Sequence, residues 1–347
     1  MAYTEIDNPK DYFEVIAYAG DGNTTQVITA NFQVDLSWIK HRSTTAAHTI
    51  QDSVRGFNAA NKLSSNENDE ENDSGGATWE NYGHVSAVSS SSFTVTRGAN
   101  TPYQTNASGV NYIAWHWKES ATAGFDILKY EGNATNRTIS HSLSAVPHVM
   151  IIKNLESTSS SAEHWLVYHK GIGNTHGLLL NTTDAKSDDA TYFQDTDPTS
   201  SVFSIGTADR CNKNNEDNIA YLWSEKQGFS KFGTYTGNGN VDGSFVYTGF
   251  RPAFLMIKQY DAAGTDWTIL DNKRPAENPA DQWLAPNTNA AEVANDTTAL
   301  SADLLSNGFK LRGSASDGTN GSSDDFIYMA FAEAPFVNSN GVPCNAR

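Results

Sequence analysis

The sequence has few of the features that build disulfide frameworks, cysteine-based metal sites or membrane spans. Only two of its 347 residues are cysteines, Cys211 and Cys344, and we expect both to be incidental thiols. No window approaches the roughly 20 apolar residues that a membrane-spanning helix needs. The opening MAYTEIDNPKDYF lacks the basic and apolar regions of a secretion signal. The sequence therefore predicts no membrane insertion and no secretion signal.

Positive charge is also scarce. The chain has 23 Lys and Arg against 40 Asp and Glu, which gives a formal net charge of -17. Such a chain repels the phosphates of nucleic acid at long range, so no nucleic-acid partner is expected. Much of the remaining polarity comes from Asn, Ser, Thr and Gly, which are turn residues and favour many short strands joined by loops.

Three segments of the chain are versions of one another, which predicts three tandem units. We place unit 1 at residues 12–119, unit 2 at 125–225 and unit 3 at 229–333, with a lead-in at 1–11 and a tail at 334–347. The recurring positions are Tyr18, Tyr130 and Tyr235; Lys40, Lys153 and Lys258; His48, Trp165 and Trp267; Asp52, His169 and Asp271; Asn66, Asn181 and Asn287; Phe93, Phe203 and Phe309; and Ile113, Ile219 and Ile327. Their common order makes coincidence a poor explanation.

The patterning inside each unit predicts an all-β fold of homologous β-sandwich-like units. Runs of four to nine residues rich in aromatic and β-branched side chains are bounded by Gly, Asn, Asp and Ser, as strands with one buried face are. PHVMIIKNL and PAFLMIKQY are more continuously apolar, which predicts strands covered on both faces. Helix is expected only in ADLLSNGF and NAAEVAND. The joints SATAG and KQG are short, so we expect the units to pack together, in a pseudo-threefold or a linear arrangement.

The run YTGNGNVDG raises the question of a phosphate-binding loop. Such a loop requires a following helix or a Gly-Lys-Ser/Thr ending, and here a strand-like run follows. The equivalent loops YAGDGN and YEGNAT keep the turn and lose the third glycine. We therefore predict a hairpin turn with left-handed residues, and no cofactor site.

The charged and metal-binding candidates have plainer interpretations. The aligned lysines Lys40, Lys153 and Lys258 are expected to emerge at the solvent ends of strands, and Asp52, His169 and Asp271 to form a polar strand lip. His164 and His169 lie five apart, which puts them on opposite faces of a strand and disfavours metal binding. The acidic stretches 66–76 and 317–325 are expected to be solvated loops more than calcium sites.

No motif predicts catalysis, because the sequence has no Gly-x-Ser-x-Gly elbow and no recognisable Cys–His arrangement. We expect no catalytic residue, no metal and no cofactor. The best ligand candidates are aromatic residues in the segments that vary between units, where exposed rings stack on sugars or on a partner. These residues are Trp79, Tyr82, Tyr103, Tyr192 and Trp283.

Between Tyr235 and Phe336, the phrases YTGNG, FVYTGFRPAFLMIK, SNGFKLR and IYMAFAEAPF resemble a repeat domain of unknown function found in virion proteins of marine tailed bacteriophages. The resemblance covers nearly the whole chain and is clearest in units 2 and 3. Unit 1 departs from it, with NFQVDLSW in place of GFRPAF. No catalytic residue is carried by these phrases.

This resemblance implies a virion location and a tail-fibre-like or receptor-binding subunit that contacts the host surface. The alternatives are a capsid decoration or head-fibre protein and, from another class, a glycan depolymerase with paired carboxylates. The expected partners are other virion proteins, copies of the same chain, with a trimer by analogy with fibres, and a host surface glycan.

Overall fold

The computed structural model describes residues 3–73, 78–156, 163–275, 277–294, 300–313 and 318–344. It confirms the all-β prediction, because strands form nearly all of the regular structure. Within these ranges the α-helices are the single turns α1 (Ala190–Phe193) and α2 (Asp209–Asn212). Short 3-10 helices occupy Pro9–Asp11, Ala59–Asn61, Trp79–Tyr82 and Lys170–Ile172.

Unit 1 contains seven strands in two antiparallel sheets. They are β1 (Phe13–Ala19), β2 (Thr25–Thr29), β3 (Leu36–His41), β4 (Thr49–Asp52), β5 (His84–Ser89), β6 (Ser92–Thr96) and β7 (Asn111–Trp117). The larger sheet has the order β1-β7-β3-β4, and the smaller one has the order β2-β6-β5.

Unit 2 enlarges the main sheet and reduces the small one. Its strands are β8 (Phe125–Glu131), β9 (Arg137–Ser140), β10 (Val149–Asn154), β11 (Leu166–His169), β12 (His176–Leu179), β13 (Ser187–Asp188), β14 (Val202–Ile205) and β15 (Asp217–Trp223). The sheets have the orders β13-β12-β11-β10-β15-β8 and β14-β9.

Unit 3 returns to the arrangement of unit 1. Its strands are β16 (Ser230–Thr236), β17 (Phe245–Tyr247), β18 (Phe250–Gln259), β19 (Thr268–Asp271), β20 (Ala302–Leu305), β21 (Gly308–Leu311) and β22 (Asp325–Pro335). Its sheets have the orders β16-β22-β18-β19 and β17-β21-β20. In all three segments the last strand therefore pairs with both the first and the third, and the fourth pairs with the third.

One hydrophobic core is shared by all three units, and each unit also has a core of its own. The shared core packs aromatic rings from the last strands against one another. Trp117 lies 6.1 Å from Trp223 and 5.6 Å from Phe331, and Phe13 lies 4.8 Å from Phe331, between ring centroids. Each unit contacts both others, so the units close on one another and do not form a linear stack.

The continuously apolar strands lie between the shared core and the separate core of their own unit, which explains their sequence. All six residues of β10 are buried. Nine of the ten residues of β18 are buried as well, and the exception is half-buried Arg251. One face of such a strand points to the common centre and the other to the small sheet of its own unit. Coverage on both faces is thus confirmed.

The glycine turn is not a hairpin, and that prediction is wrong. β1 pairs with β7, whereas β2 pairs with β6, so the turn carries the chain from one sheet to the other. The left-handed conformation was expected correctly: Gly22 has φ +74°, Gly239 has φ +65°, and Ala134 at the equivalent position has φ +53°. The glycines serve a sheet-to-sheet crossover.

Helix was wrongly expected in ADLLSNGF. Ala302–Leu305 and Gly308–Leu311 pair as an antiparallel hairpin, because Ala302, Leu304 and Phe309 face the core of unit 3. In NAAEVAND, Val293 forms an isolated bridge with Trp283, and the last two residues of that stretch lie outside the described residues.

Candidate functional site

Three junctions between units use the same aligned positions. In the residue immediately before each fourth strand, a ring nitrogen donates to a backbone carbonyl of a different unit. The contacts are Trp165 Nε1 to Ser64 O at 3.0 Å, Trp267 Nε1 to Leu179 O at 3.0 Å, and His48 Nε2 to Ala285 O at 3.1 Å. Unit 2 thus contacts unit 1, unit 3 contacts unit 2, and unit 1 contacts unit 3.

The histidine at the junction of units 3 and 1 acts as a neutral donor and acceptor. Its Nδ1 accepts a hydrogen bond from Trp38 Nε1 at 2.9 Å, so its Nε2 carries the hydrogen that Ala285 O accepts. Burial holds the pKa of His48 well below its usual value. His48 therefore replaces a tryptophan in the cycle of contacts without adding charge.

The aligned asparagines fix these donors in place. In each unit the asparagine Oδ1 accepts the backbone N–H of the residue that reaches across the junction. The pairs are Asn66 with His48 at 2.9 Å, Asn181 with Trp165 at 3.2 Å, and Asn287 with Trp267 at 2.9 Å. The repeated asparagine is a positioning element for the junction.

The column Asp52, His169 and Asp271 is buried, so its prediction as a polar strand lip is wrong. Each member ends a fourth strand and contacts the last strand of another unit. Asp52 Oδ2 accepts the Tyr221 hydroxyl at 2.7 Å, Asp271 Oδ2 accepts Trp115 Nε1 at 3.1 Å, and His169 Nε2 donates to Tyr328 O at 3.2 Å. The changing side chains share one task, which is to join neighbouring units.

The two aspartates have buried arginine partners three residues later. Arg55 Nε lies 2.6 Å from Asp52, and Arg274 Nε lies 2.7 Å from Asp271. Burial alone would lower the pKa of Arg55, but the carboxylate of Asp52 raises it above its usual value. In unit 2 the corresponding residue is Ile172, and burial lowers the pKa of His169 to about 4, so that junction is uncharged at neutral pH.

The three aligned lysines are fully buried, so the prediction that they emerge into solvent is wrong. Desolvation lowers the pKa of Lys40 and of Lys153 to about 7, and that of Lys258 to about 8. Their amino groups donate to backbone carbonyls: Lys40 to His41 O at 2.9 Å, Lys153 to Asn154 O at 2.6 Å, and Lys258 to Thr265 O at 2.8 Å. These lysines are internal donors near the junctions.

The acidic stretch at 66–73 is half-buried and bonded to unit 2, which differs from the solvated loop we expected. Glu71 N donates to Leu155 O at 2.9 Å, and the Glu71 carboxylate lies 2.8 Å from Arg55. The rest of the predicted stretch, 74–76, lies outside the described residues, as does Asp317 of the second acidic stretch. Within the described ranges, no group of three or more His, Cys, Asp or Glu side chains could hold a metal ion.

A carboxyl pair lies at the joint between units 1 and 2. Burial, together with a hydrogen bond to Asp126, raises the pKa of Glu119 to about 7. The backbone N–H of Glu119 donates to Asp35 at 2.8 Å, and that of Ser142 donates to Asp126 at 2.6 Å. Glu119 and Asp126 bond to each other, whereas glycoside hydrolysis needs carboxyls about 5 to 10 Å apart around the substrate.

A further repeated position was missed by the sequence analysis. Asn106, Asn212 and Asn320 each lie seven residues before the aligned isoleucine, and all three are buried. Each Oδ1 accepts a backbone N–H of the crossover turn, from Asp21 at 2.9 Å, Asn133 at 2.9 Å and Asn238 at 3.1 Å. The constant spacing was the signal that could have found them.

The aromatic ligand candidates are not exposed. Trp79 and Tyr192 are buried, and Tyr82, Tyr103 and Trp283 are half-buried. The structure brings Trp79 and Tyr82 together, with ring centroids 6.2 Å apart, and places Tyr192 in the core of unit 2 and Trp283 against that of unit 3. They do not form one surface, and ligand contact through them stays a prediction.

A surface groove of about 590 Å³ lies where the lead-in meets unit 3. Its polar lining residues include Asp7, Lys10, Arg251, Asn278, Asn307 and Glu333. A second hollow of about 330 Å³ shares Lys10 and Glu333 with it and continues along the junction of units 1 and 3. Polar side chains from separate segments of the chain converge on this concave surface.

The family is shown by comparison with known proteins. The sequence model of the Domain of unknown function (DUF7483) matches residues 8–335, and the chain belongs to this family. No curated protein matches it. Among solved structures, a chain of "Life in the extremes: atomic structure of Sulfolobus Turreted Icosahedral Virus" is 12% identical, with 62% of this chain and 90% of that chain covered at a TM-score of 0.20, a level that supports no argument. In the described residues no helix is long and apolar enough to cross a membrane.

Proposed function

We propose that the protein is a structural component of a bacteriophage particle, and specifically a tail-fibre-like or receptor-binding subunit that contacts the host surface. The resemblance of its repeated sequence phrases to a virion repeat domain supports the location in a virus particle. The observation that carries the proposal is the closed set of junctions, in which aligned polar side chains join the units. A body built this way presents surface features in fixed relative positions, as a binding subunit requires.

We propose a binding role and not a catalytic one. The most perturbed polar groups serve cohesion: the buried lysines donate to nearby carbonyls, the two aspartates pair with arginines, and Glu119 bonds to Asp126. Perturbed groups arranged for catalysis would converge on an open cleft. Here they lie inside the junctions.

Association with other virion proteins and with further copies of the chain forms part of this proposal. A homotrimer, by analogy with fibres, is the first expectation, and mass photometry of the purified chain would test it. A mass of one chain would overturn the trimer while leaving the virion location standing, because the three units already supply a threefold-like body within one chain.

The virion location is tested by imaging intact particles. Cryo-electron microscopy of particles that carry an epitope tag on this chain, decorated with antibody fragments, should show density at the tail apparatus. Density distributed over the capsid lattice would replace adhesion with the decoration or head-fibre role. Purified particles that lack the chain by mass spectrometry would overturn the proposal.

A further inference from the structure

We propose that the groove between the lead-in and unit 3 binds a neutral oligosaccharide. This inference rests on the proposed adhesive function and names the ligand class for one surface. The groove is formed by the lead-in at Asp7 and Lys10, by β18 at Arg251, by the turn at Asn307 and by β22 at Glu333. Because four separate segments converge there, the groove is fixed by the fold and does not depend on one loop.

The charges along the groove and its continuation balance. Each of the two hollows is lined by cations and carboxylates together, and the combined set is Lys10, Arg251 and Lys273 with Asp7, Glu14 and Glu333. Three positive and three negative groups favour neither a polyanion nor a polycation. The net charge of -17 also repels anionic polymers at long range. A neutral ligand fits this lining best.

A partly exposed ion pair, Arg251 with Glu333, lines the groove. Arg251 Nε and Glu333 Oε2 are 3.0 Å apart as an ion pair, but the contact lacks hydrogen-bond geometry. Both atoms are buried and have no hydrogen-bond partner in the described part of the chain. The two side chains are nevertheless 23% and 31% exposed. A sugar hydroxyl, which both donates and accepts, could therefore bond to their exposed polar atoms. The planar guanidinium and carboxylate suit neighbouring hydroxyls of one ring.

The size and the apolar part of the lining fit the same ligand. A volume of about 590 Å³ lies within the range of about 300 to 1,000 Å³ that small-molecule sites occupy. Pro9, Leu304 and Leu305 supply carbon surface for the C–H faces of a sugar. Among the described residues no aromatic ring lines this groove, so hydrogen bonds and aliphatic contact would provide recognition.

The test is binding of the full chain to an array of neutral and acidic oligosaccharides, followed by calorimetric titration with the strongest neutral binder. Arg251→Gln and Glu333→Gln should each weaken binding about tenfold or more, because each replaces a charge-assisted hydrogen bond to a ligand hydroxyl by a weaker neutral one and leaves the other charge of the pair uncompensated. Lys129→Gln is the matched control. It removes a cation paired with Asp217 at 2.6 Å on unit 2, away from the groove, and should leave binding unchanged.

Several outcomes would overturn the inference. These are binding to no array member, preference for acidic members, or equal binding by wild type and both groove variants when circular dichroism shows them folded. Release of new reducing ends from the bound glycan would instead show a depolymerase. Failure of the groove and failure of the virion proposal are distinguishable, since particle imaging does not depend on the glycan.

Discussion

Unit 2 joins its neighbour through different side chains from those that units 1 and 3 use. Asp52 and Asp271 are buried acceptors that require Arg55 and Arg274 beside them, whereas His169 is a neutral donor with Ile172 in the arginine's place. Unit 2 thus differs from units 1 and 3 at both positions. The role of the column is therefore fixed by geometry, and its chemistry is set by whether the neighbouring last strand offers a donor or a carbonyl oxygen.

The comparison also shows why an isolated charge is not found in this column. A buried carboxylate without a partner is costly, and a buried pair gains little over a well-packed apolar pair. Units 1 and 3 have the pair and unit 2 has an uncharged equivalent. Substitutions that leave half of a pair should thus have the largest effects on stability.

The largest effect is expected from Asp271→Ala. The change leaves the buried Arg274 guanidinium with only the more distant Glu292 carboxylate, at 3.5 Å, and removes the acceptor of Trp115 Nε1. Breaking a buried pair in this way costs about 3–5 kcal/mol. Urea unfolding followed by tryptophan fluorescence should show a correspondingly lower midpoint.

The double variant D271H/R274I is the matched control, because it copies the residues of unit 2. It removes both charges together and keeps a ring nitrogen as an acceptor for Trp115. Its loss should be less than about 1.5 kcal/mol. A double variant as unstable as Asp271→Ala would show that the carboxylate acts through something other than the ion pair.

The reverse change, His169→Asp, should also destabilise the protein. It would place a carboxylate opposite Tyr328 O, and Ile172 offers no compensating cation. We expect a loss of about 2 kcal/mol or more, partly restored by adding Ile172→Arg. Equal stability of His169→Asp and wild type in the same urea titration would contradict the comparison.

The repeated strands and the two-sided burial could be predicted from sequence because spacing and apolar patterning report local structure. The closed arrangement could not, since it depends on contacts between residues about 100 positions apart. Lys40 and its equivalents show the limit most clearly. A lysine at the end of an apolar run predicts a side chain exposed to solvent. The prediction fails where the strand ends inside a junction between units, and only the tertiary structure shows where that happens.

The groove shows the same limit for the candidate site. Asp7, Arg251 and Glu333 follow no motif and lie in separate parts of the chain, so their convergence leaves no pattern in the sequence. The aromatic candidates, chosen because they lie outside the repeat, were expected at exposed positions, but the structure leaves none of them exposed. A residue that departs from the repeat pattern marks a local difference between units, and this does not predict that its side chain is exposed.

A pH effect is expected from the buried lysines, and Lys153 in unit 2 tests it. Its folded pKa of about 7 is below its usual value, so the unfolded chain binds more protons between pH 7 and pH 10.5. Its contribution to stability therefore rises with pH across that window, by at most about 1.4 kcal/mol per pH unit. Lys153→Met should reduce the rise in unfolding free energy between pH 7.5 and 9.5. An unchanged slope would mean that this amine stays protonated in the fold.

The smallest effect concerns the crossover turn, where unit 2 again differs. Ala134 holds the left-handed conformation that glycine supplies in units 1 and 3. Ala134→Gly should relieve that strain, although glycine also makes the unfolded chain more flexible. The net effect should be a stabilisation of up to about 1 kcal/mol.

Gly22→Ala is the reciprocal change, and it should destabilise by at least about 1 kcal/mol. Besides the strain, its Cβ would lie 2.7 Å from the Cβ of Ser108. Thermal melts of the two variants should move in opposite directions. If both variants lower the melting temperature, the turn of unit 2 is adapted to its alanine, and the three crossover turns are not equivalent.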